Sequence, residues 1–461
     1  MASGAGLGYS SPVVFESFYL ACLSHASYLI ADGGEAAIVD PQRDVDGYIA
    51  AAERLGVRIV AVIETHLHAD FVSGHRELAA RTGARIYIGR RASVEFPHVA
   101  VGDGDDIRIG DTALHILETP GHTPEGICVL VVGGGDAARL LTGDTVFIGD
   151  VGRPDLAGGL GITPEEMAGM LYDSLHQKIL VLPDDVEVWP AHGAGSACGR
   201  AISDERSATL GQQRRMNWAL QPMPRADFVR LMTENLAPPP AYFVHDAEEN
   251  RRGAPALADL APARPLRPDA IPERAVLLDI RDTAAFARGH VPGSVNVALA
   301  GPFAPWAGAV IALGTPIVLV ADGPEAVNEA AMRLARIGVE TVVGFLDGGI
   351  ATWAAAGLPV ATLKQIAVAD LAATLPAAIL DVRRPREFAA GHLPGARSLP
   401  LDRMTTGAAV EGPPTGPLYV ICASGYRSSA AASVLLARGL DVVNVVGGTN
   451  AWIAAGLPVE T

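Results

Sequence analysis

The sequence predicts a chain of three α/β domains, one large and two closely related. It has 461 residues, which is material for about three domains of ordinary size, and 49% of them are hydrophobic, enough for each domain to bury a core. The C-terminal part also repeats itself with a constant offset of 102 residues, which carries Asp279 and His290 onto Asp381 and His392. The repeat predicts two sister domains after one large domain.

Composition sets the expected boundaries. The first domain is expected over residues 1–240, and the Pro-, Ala- and Arg-rich stretch that follows predicts an inter-domain connection over 241–256. The two sister domains are then expected over 257–360 and 361–461. Both end alike, with "GGIATWAAAGLPV" in the first and "GGTNAWIAAGLPV" in the second.

The large domain contains many short β-type runs, with a helical pattern between some of them. The helical segments are "VDGYIAAAERLG" and "GHRELAARTG". Mixed sheets with helices outside fit this pattern best. The strand candidates are "AAIVD", "RIVAVIE", "ARIYIG", "ALHILE", "ICVLVV", "ARLLTG" and "VEVWPA".

Each sister domain alternates apolar runs such as "PIVLV" with Ala-rich amphipathic stretches such as "NEAAMRLARIG". Strands that alternate with helices predict a parallel α/β sheet.

Charge and hydropathy exclude several classes of partner. The formal net charge is -16 and is spread along the chain, which argues against nucleic acid and anionic lipid as partners. The early apolar run "FYLACLSHASYLI" is shorter than the ~20 residues of a membrane span, so we expect a cytoplasmic protein. The 4 cysteines are too scattered for a disulfide framework and must be judged singly.

Metal-binding residue types follow four separate predicted strands. Imidazole and carboxylate groups that recur at strand ends converge on one point in an open sheet structure, so together they predict a metal site. A lone histidine in such a place would more often be a hydrogen-bonded structural residue. The residues are His66, His68, Asp70, His122, Asp144 and His192.

The segment "ETHLHADFVSGH" resembles the HxHxDH signature of the metallo-β-lactamase superfamily, and the resemblance spans residues 12–235. It implies an αββα sandwich. Dinuclear zinc hydrolases of this superfamily use the last histidine of the signature on their second metal, but here Phe71 stands in its place. A second site would be short of nitrogen donors, so we expect a single metal.

The closer resemblance is to persulfide dioxygenases, through "VDPQRDVDGYI", "TPGHTPEG", "LLTGDTVFIGDVGRPDL" and "WPAHGAGSACG". It implies one Fe(II) per chain, held by His66, His122 and Asp144. Two histidines and one carboxylate leave three positions open for a sulfur ligand and dioxygen. The groups implied around these ligands are His68, Asp70, His192 and Phe71.

Two more residues are candidates at this site. Arg153, in "VGRPDL", is close enough along the chain to bind a substrate carboxylate or phosphate, although a surface arginine is an equal alternative. Cys198, in the glycine-rich "GAGSACG", is a candidate catalytic thiol that would receive or present sulfane sulfur. The alternative is a buried inert cysteine.

In the last domain the strand "LYVIC" leads Cys422 into "CASGYRSSAAASVLLARG", where a helix begins. Free N–H groups at a helix N-terminus and the charge of Arg427 stabilise a thiolate or a persulfide, so Cys422 is predicted to be a sulfur-carrying nucleophile. Gly425 and Ser428 belong to the same substrate-binding loop.

With "DVRRPREFAAGHLPGA" upstream and "GGTNAW" downstream, residues 366–461 resemble a rhodanese. The loop from Cys422 to Arg427 has the rhodanese length, which favours sulfane sulfur over phosphate. The first sister domain has Ala321 at the cysteine position, with Asp322 and Glu325 nearby, which would repel an anionic acceptor. It is therefore expected to be an inactive rhodanese with a spacing or docking role.

Together the two resemblances imply a sulfide-detoxification fusion. The dioxygenase would oxidise a low-molecular-weight thiol persulfide with O2 to sulfite, and the rhodanese would convert sulfite to thiosulfate. A homo-oligomer is expected, with no nucleic acid or membrane partner. One alternative is a zinc thioester hydrolase of glyoxalase II type, and another is a non-catalytic sulfur-relay module.

Overall fold

The computed structural model describes residues 13–461 apart from 136, 235, 237, 375–377 and 405–415. The chain forms two compact units, of which the first comprises residues 1–239 and 243–259 and the second comprises 240–242 and 260–461.

The first unit contains two mixed six-stranded sheets, with strand orders β1-β2-β3-β4-β5-β6 and β12-β11-β10-β9-β8-β7. The expected strands are present, and "RIVAVIE" coincides with β4. The apolar run near the N-terminus contributes to the hairpin β1–β2. The strands are β1 Val14–Leu20, β2 His25–Asp32, β3 Glu35–Val39, β4 Arg58–Glu64, β5 Arg85–Gly89, β6 Val99–Val101, β7 Asp106–Ile109, β8 Thr112–Glu118, β9 Ile127–Val132, β10 Arg139–Gly143, β11 Glu187–Pro190 and β12 Ala208–Thr209.

Three apolar layers show how the sheets pack. One cluster joins the facing sides of both sheets, including Ile63 of β4 and Leu141 of β10. A second covers the outer face of the first sheet with Tyr48 of α1, and a third covers the outer face of the second sheet with Leu171 of α3. The order is therefore helix, sheet, sheet, helix, which confirms the αββα sandwich. The helices are α1 Asp46–Leu55, α2 His75–Thr82, α3 Pro164–Ser174, α4 Leu210–Met216, α5 Arg225–Thr233 and α6 Phe243–Arg252.

The expected connection over residues 241–256 differs from the structure, because helix α6 lies within it and belongs to the first unit. Asn250 of this helix is buried and binds the loop that follows β4. The first unit therefore extends beyond residue 240. The prolines and alanines that suggested a linker flank this helix.

The second unit contains two five-stranded sheets, both parallel throughout, as expected from the alternating pattern. Their orders are β13-β17-β16-β14-β15 and β18-β22-β21-β19-β20. The strands are β13 Arg264–Leu266, β14 Val276–Asp279, β15 Val295–Asn296, β16 Ile317–Val320, β17 Val342–Leu346, β18 Lys364–Ala367, β19 Ile379–Asp381, β20 Arg397–Ser398, β21 Leu418–Ile421 and β22 Val442–Val446. The helices are α7 Thr283–Arg288, α8 Phe303–Val310, α9 Pro324–Ala335, α10 Gly349–Ala355, α11 Val368–Thr374, α12 Pro385–Ala389, α13 Tyr426–Ala437 and α14 Gly448–Ala454.

The two copies share a structural ion pair. Arg281 binds Asp279 in the first copy and Arg383 binds Asp381 in the second, and both arginines also donate to the carbonyl of the glycine before the repeat histidine. Both carboxylates are buried, so these pairs fix the loop after β14 and the loop after β19. The repeat motif is therefore structural in both copies.

Among the residues that the structure describes, none of the helices has the length and apolar character to span a bilayer.

Candidate active sites

The three residues expected to bind a metal lie together after the ends of β4, β8 and β10. Nε2 of His122 is 3.3 Å from Oδ2 of Asp144, and Nε2 of His66 is 3.8 Å from the same oxygen. All three side chains are buried. The glycine before Asp144 has φ +51°, and a Cβ there would collide with the side chain of Thr65, so only glycine fits this turn.

Hydrogen bonds fix the orientation of both imidazoles. Nδ1 of His122 lies 2.9 Å from the carbonyl oxygen of Arg153, which can only accept, so this nitrogen carries the proton. Nδ1 of His66 lies 2.9 Å from Oγ1 of Thr65, whose hydroxyl donates to Asp40 and is thus left to accept from the ring. Both Nε2 atoms therefore present a free lone pair to the same point, as metal-binding histidines do.

The electrostatics suit a cation. Burial lowers the pKa of His66 and His122, so both rings are neutral at pH 7. Burial acts to raise the pKa of Asp144, but the neighbouring imidazoles, His192 first among them, outweigh it and hold that pKa well below its usual value. Two neutral imidazoles and one carboxylate are the state in which these groups bind a metal.

The structure offers an independent test of whether a metal fits here. Nε2 of His122 and Oδ2 of Asp144 are buried and have no hydrogen-bond partner among the described residues. Buried polar atoms without a partner are costly unless an ion or water satisfies them. The donor set is that of two-histidine, one-carboxylate iron centres, so the residues present fit the metal expected from the sequence.

A second group of potential ligands adjoins the first. Nε2 of His192 is 2.8 Å from Oδ2 of Asp70, and its Nδ1 is 2.7 Å from Oδ1 of Asp144. Cys198 also has its sulfur within 4.8 Å of the ligand atoms of Asp70 and His192. The structure thus places the Cys198 thiol in this group. Burial and the two carboxylates Asp70 and Asp144 raise the pKa of this thiol well above its ordinary value.

The ring of His68 lies between the ligand His66 and Phe71, with its centroid 4.1 Å from that of His66. The Phe71 ring is buried between His25 and His68, with ring centroids 4.1 and 4.4 Å apart respectively. Nε2 of His68 is 3.1 Å from Oδ1 of Asp40. The phenylalanine at the fourth signature position therefore packs on imidazole rings and contributes no donor.

The Cys422 loop, residues 422–425, lies between β21 and α13. Cys422 is buried, and its sulfur accepts a hydrogen bond of 3.1 Å from the backbone N–H of Gly425 and lies 3.5 Å from Oγ of Ser428. Arg427 stands in the first turn of α13 and binds Glu387 in a bidentate pair of 2.6 and 2.7 Å. The loop therefore brings together a thiol, a backbone N–H donor and, at the start of α13, a guanidinium held by a carboxylate.

We call the first sister domain, residues 257–360, the silent copy because its corresponding loop has Ala321 in place of a cysteine. Only residues 321–323 separate β16 from α9, whereas residues 422–425 separate β21 from α13, so its loop is one residue shorter. Pro324 opens α9 and has no N–H to donate. This loop can hold neither a sulfur nucleophile nor its cradle of donors.

Comparisons with known proteins agree with this architecture. Residues 20–192 match the family model of the metallo-beta-lactamase superfamily, and residues 268–356 and 365–455 each match the rhodanese-like domain. The human persulfide dioxygenase ETHE1, a mitochondrial protein, is 31% identical over 204 residues, which cover 43% of this chain and 76% of the human protein. The chain belongs to the metallo-beta-lactamase superfamily. Its first unit is homologous to persulfide dioxygenases, and rhodanese-like domains follow.

Two further proteins are similar to parts of this chain. A metallo-beta-lactamase structure from Staphylococcus aureus subsp. aureus COL is 33% identical and covers 73% of this chain and 99% of its own length, with a TM-score of 0.67. Hydroxyacylglutathione hydrolase from Gloeobacter violaceus is 36% identical over 34% of this chain and 58% of its own length. The likeness to the staphylococcal protein extends well beyond the metallo-beta-lactamase domain.

The geometry around Arg153 differs from the expectation of a free substrate-binding group. Its guanidinium donates to both carboxylate oxygens of Asp155, at 2.6 and 2.7 Å, and its side chain is 8% exposed. Its carbonyl oxygen instead orients His122. The clear contribution of Arg153 to the metal centre is therefore made through its backbone.

Several residues that support the site were missed from the sequence. Thr65 and Asp40 follow strands and were open to the same reasoning as the metal ligands. Glu387 could have been found by comparing the two copies. The first sister domain has Ala285 at the position of Glu387 and Glu325 at the position of Arg427, so it lacks both members of this ion pair. Asn250 carried none, since it lies far along the chain in a stretch that looked like a linker.

Asn250 ties α6 to the loop that carries the metal-binding signature. Its Nδ2 donates to the carbonyl oxygens of His68 and Phe71 at 2.7 and 2.8 Å, and its Oδ1 accepts from the N–H of Ser73 at 2.8 Å. All three partners lie in one turn after β4, so one side chain closes this turn.

We predict that Asn250→Ala destabilises the metallo-beta-lactamase domain by about 2–4 kcal/mol, because buried carbonyl and N–H groups lose their partners. Scanning calorimetry should show an earlier transition for this unit, and metal analysis should show less bound metal. The exposed Asn328 of α9 provides the control, since Asn328→Ala should change neither. Equal transitions for wild type and Asn250→Ala would contradict the role of this residue.

Proposed function

We propose that the metallo-beta-lactamase domain is a non-haem iron persulfide dioxygenase and that the last domain is a rhodanese acting on its product. The observation that carries the proposal is the buried pair of imidazoles and one carboxylate, His66, His122 and Asp144, in a unit homologous to persulfide dioxygenases. The homologues of both halves support an enzyme of sulfur metabolism.

Ferrous iron held by His66, His122 and Asp144 would supply the binding and activation of dioxygen beside a sulfur ligand. The overall reaction is RSSH + O2 + H2O → RSH + SO3²⁻ + 2H⁺, in which the outer sulfur is oxidised and dioxygen is reduced. Phe71 and the rings that it contacts are buried, and they exclude water from that side of the centre.

The groups next to the ligands would orient the centre. His192 bridges Asp144 and Asp70, so it holds one oxygen of Asp144 and leaves the other facing His66 and His122. The Cys198 thiol lies within reach of Asp70 and His192, but its burial and its raised pKa favour an inert cysteine over one that carries sulfane sulfur. Its burial keeps it from reacting with bulk solutes.

The rhodanese step would use sulfite from the first reaction. The Cys422 thiolate attacks the outer sulfur of a second persulfide and releases RSH, and sulfite then attacks the enzyme-bound sulfur and leaves as thiosulfate. The sum is RSSH + SO3²⁻ → RSH + S2O3²⁻, which returns Cys422 to its thiolate. The N–H of Gly425 donates to the sulfur, and Arg427, which gives two of its five N–H donors to Glu387, would bind an anion with the others.

The biological setting that we propose is the removal of excess sulfide or persulfide in the cytoplasm, with a low-molecular-weight thiol as the carrier. A thioester hydrolase of glyoxalase II type is the competing function, and the match to a hydroxyacylglutathione hydrolase supports it. Phe71 counts against it, because a dinuclear zinc centre would need a donor at that position.

We predict about one iron per chain in protein purified without oxygen, because the described residues contain one complete two-histidine, one-carboxylate set. Elemental analysis should find this iron in wild type and lose it in His122→Ala. The partly exposed His115, which binds Asp106, gives the control variant His115→Ala, which should keep its iron. Two tightly held zinc ions per chain would contradict the proposal.

Asp144→Ala should abolish oxygen consumption with glutathione persulfide, because it removes the carboxylate of the proposed iron site. An oxygen electrode measures the rate, and a fall of at least several hundredfold is expected for the loss of a metal ligand. The exposed Asp185 provides the matched variant Asp185→Ala, which should keep the wild-type rate. Oxygen uptake that survives in Asp144→Ala would refute the assignment.

Cys422→Ser should separate the two reactions. An alcohol cannot carry sulfane sulfur, so thiosulfate formation should fall by several orders of magnitude while oxygen uptake continues. Sulfite should then accumulate, which product derivatisation and chromatography would detect.

Cys22→Ser, which alters a cysteine outside both sites, should leave the products unchanged. Unaltered thiosulfate yield in Cys422→Ser, or a simultaneous collapse of oxygen uptake, would show that the two-step assignment is wrong.

A further inference from the structure

The silent rhodanese copy contacts the sulfur-transfer loop of its sister within the second unit. The segment from β15 to α8 packs against α13, the helix that begins at the end of the Cys422 loop. Three kinds of contact cross this boundary: buried hydrogen bonds to the body of α13, a hydrogen bond to the loop, and an aromatic ring against Arg427.

The buried hydrogen bonds centre on Asn296. Its Oδ1 accepts from the hydroxyl of Ser429 at 2.7 Å, and its backbone N–H donates to Oγ of Ser433 at 2.8 Å. Its Nδ2 is held by carbonyl oxygens of its own copy, those of Asp279 and Arg281. Asn296, Ser429 and Ser433 are all at most 1% exposed, so breaking this boundary would strand buried polar groups. The relative position of the two copies is thereby fixed.

The second contact reaches the loop itself. The hydroxyl of Tyr426 donates to the carbonyl oxygen of Ala298 at 2.6 Å. Tyr426 stands between Gly425, whose N–H binds the Cys422 sulfur, and Arg427. Tyr426 is covalently joined to both residues. The hydrogen bond from its hydroxyl to the silent copy therefore restrains the N–H of Gly425 and the guanidinium of Arg427 together.

The third contact concerns the charge. The guanidinium of Arg427 lies 5.7 Å from the ring centroid of Trp306 in α8 of the silent copy, within the range of a cation–π contact. Glu387 of the active copy holds the same guanidinium through two hydrogen bonds. Arg427 is thus fixed by one side chain from each copy, and Trp306 is half-buried beside it.

We propose that the sulfur-transfer site is composite: the silent copy forms one wall of it, and Trp306 is a specificity-determining residue that positions Arg427 for anionic sulfur donors and acceptors. This inference rests on the proposed rhodanese function. It gives the silent copy a role at its sister's site, although its own loop cannot carry sulfur.

The first test is the rate of thiosulfate:cyanide sulfur transfer by the full chain carrying Trp306→Ala. The expected result is a KM for thiosulfate that is raised about three- to tenfold with kcat nearly unchanged, the scale of a lost cation–π contact. Trp306→Phe keeps an aromatic face and should restore most of the affinity. Trp353→Ala alters another partly exposed tryptophan of the silent copy, in α10, and should leave KM unchanged.

The second test needs no turnover. Alkylation of Cys422 by iodoacetamide, followed by mass spectrometry as a function of pH, reports the surroundings of the thiol. Tyr426→Phe should move this profile to higher pH, because a looser loop presents the Gly425 N–H less well to the thiolate. Circular dichroism would establish that each variant is folded.

The outcomes separate the two proposals. If wild type transfers no sulfur, the rhodanese function fails, whereas the alkylation profile still reports on the loop. If wild type is active but Trp306→Ala and Tyr426→Phe behave as Trp353→Ala does, the silent copy is a spacer and the composite site is refuted. An equal loss of kcat in Trp306→Ala and Trp306→Phe would also overturn the assignment, since it would indicate general damage.

Discussion

The carboxylate of Asp144 is the group on which the metal centre depends, because each of its oxygens faces a different partner. One oxygen binds His192 and the other faces His66 and His122. These four residues follow four different strands, β4 in one sheet and β8, β10 and β11 in the other. The positions of these strand ends therefore set the geometry around the carboxylate. A buried carboxylate is costly unless it is paired, and here imidazoles stabilise it from both sides.

The two rhodanese copies show how one framework can serve two purposes. Both retain the parallel five-stranded sheet and the ion pair of aspartate and arginine at the end of β14 and of β19. They differ at the strand-to-helix loop and at the Arg427–Glu387 pair, which only the second copy has. Folding constraints therefore preserve the frame in both copies, while the functional groups are free to be lost from one.

Much of the fold and of the metal centre could be predicted because the signals are local. A strand such as "RIVAVIE" shows its boundaries in its own composition, and a histidine that directly follows it is placed by that strand. Contacts between distant segments are different. Asn250 binds the loop of Phe71 although they are far apart along the chain, and no periodicity or spacing indicates it. The guanidinium of Arg153 binds Asp155, two residues further along the chain. Residue type alone does not show whether an arginine binds such a neighbouring carboxylate or an anionic substrate.

The shorter loop of the silent copy also bears on how activity can be regained. Ala321→Cys would restore a thiol, yet the loop would still lack one residue, and Pro324 would still remove an N–H from the start of the helix. A loop like that of Cys422 would need an insertion and at least two substitutions here. No single substitution therefore converts this loop into one with the length, thiol and N–H donor of the Cys422 loop.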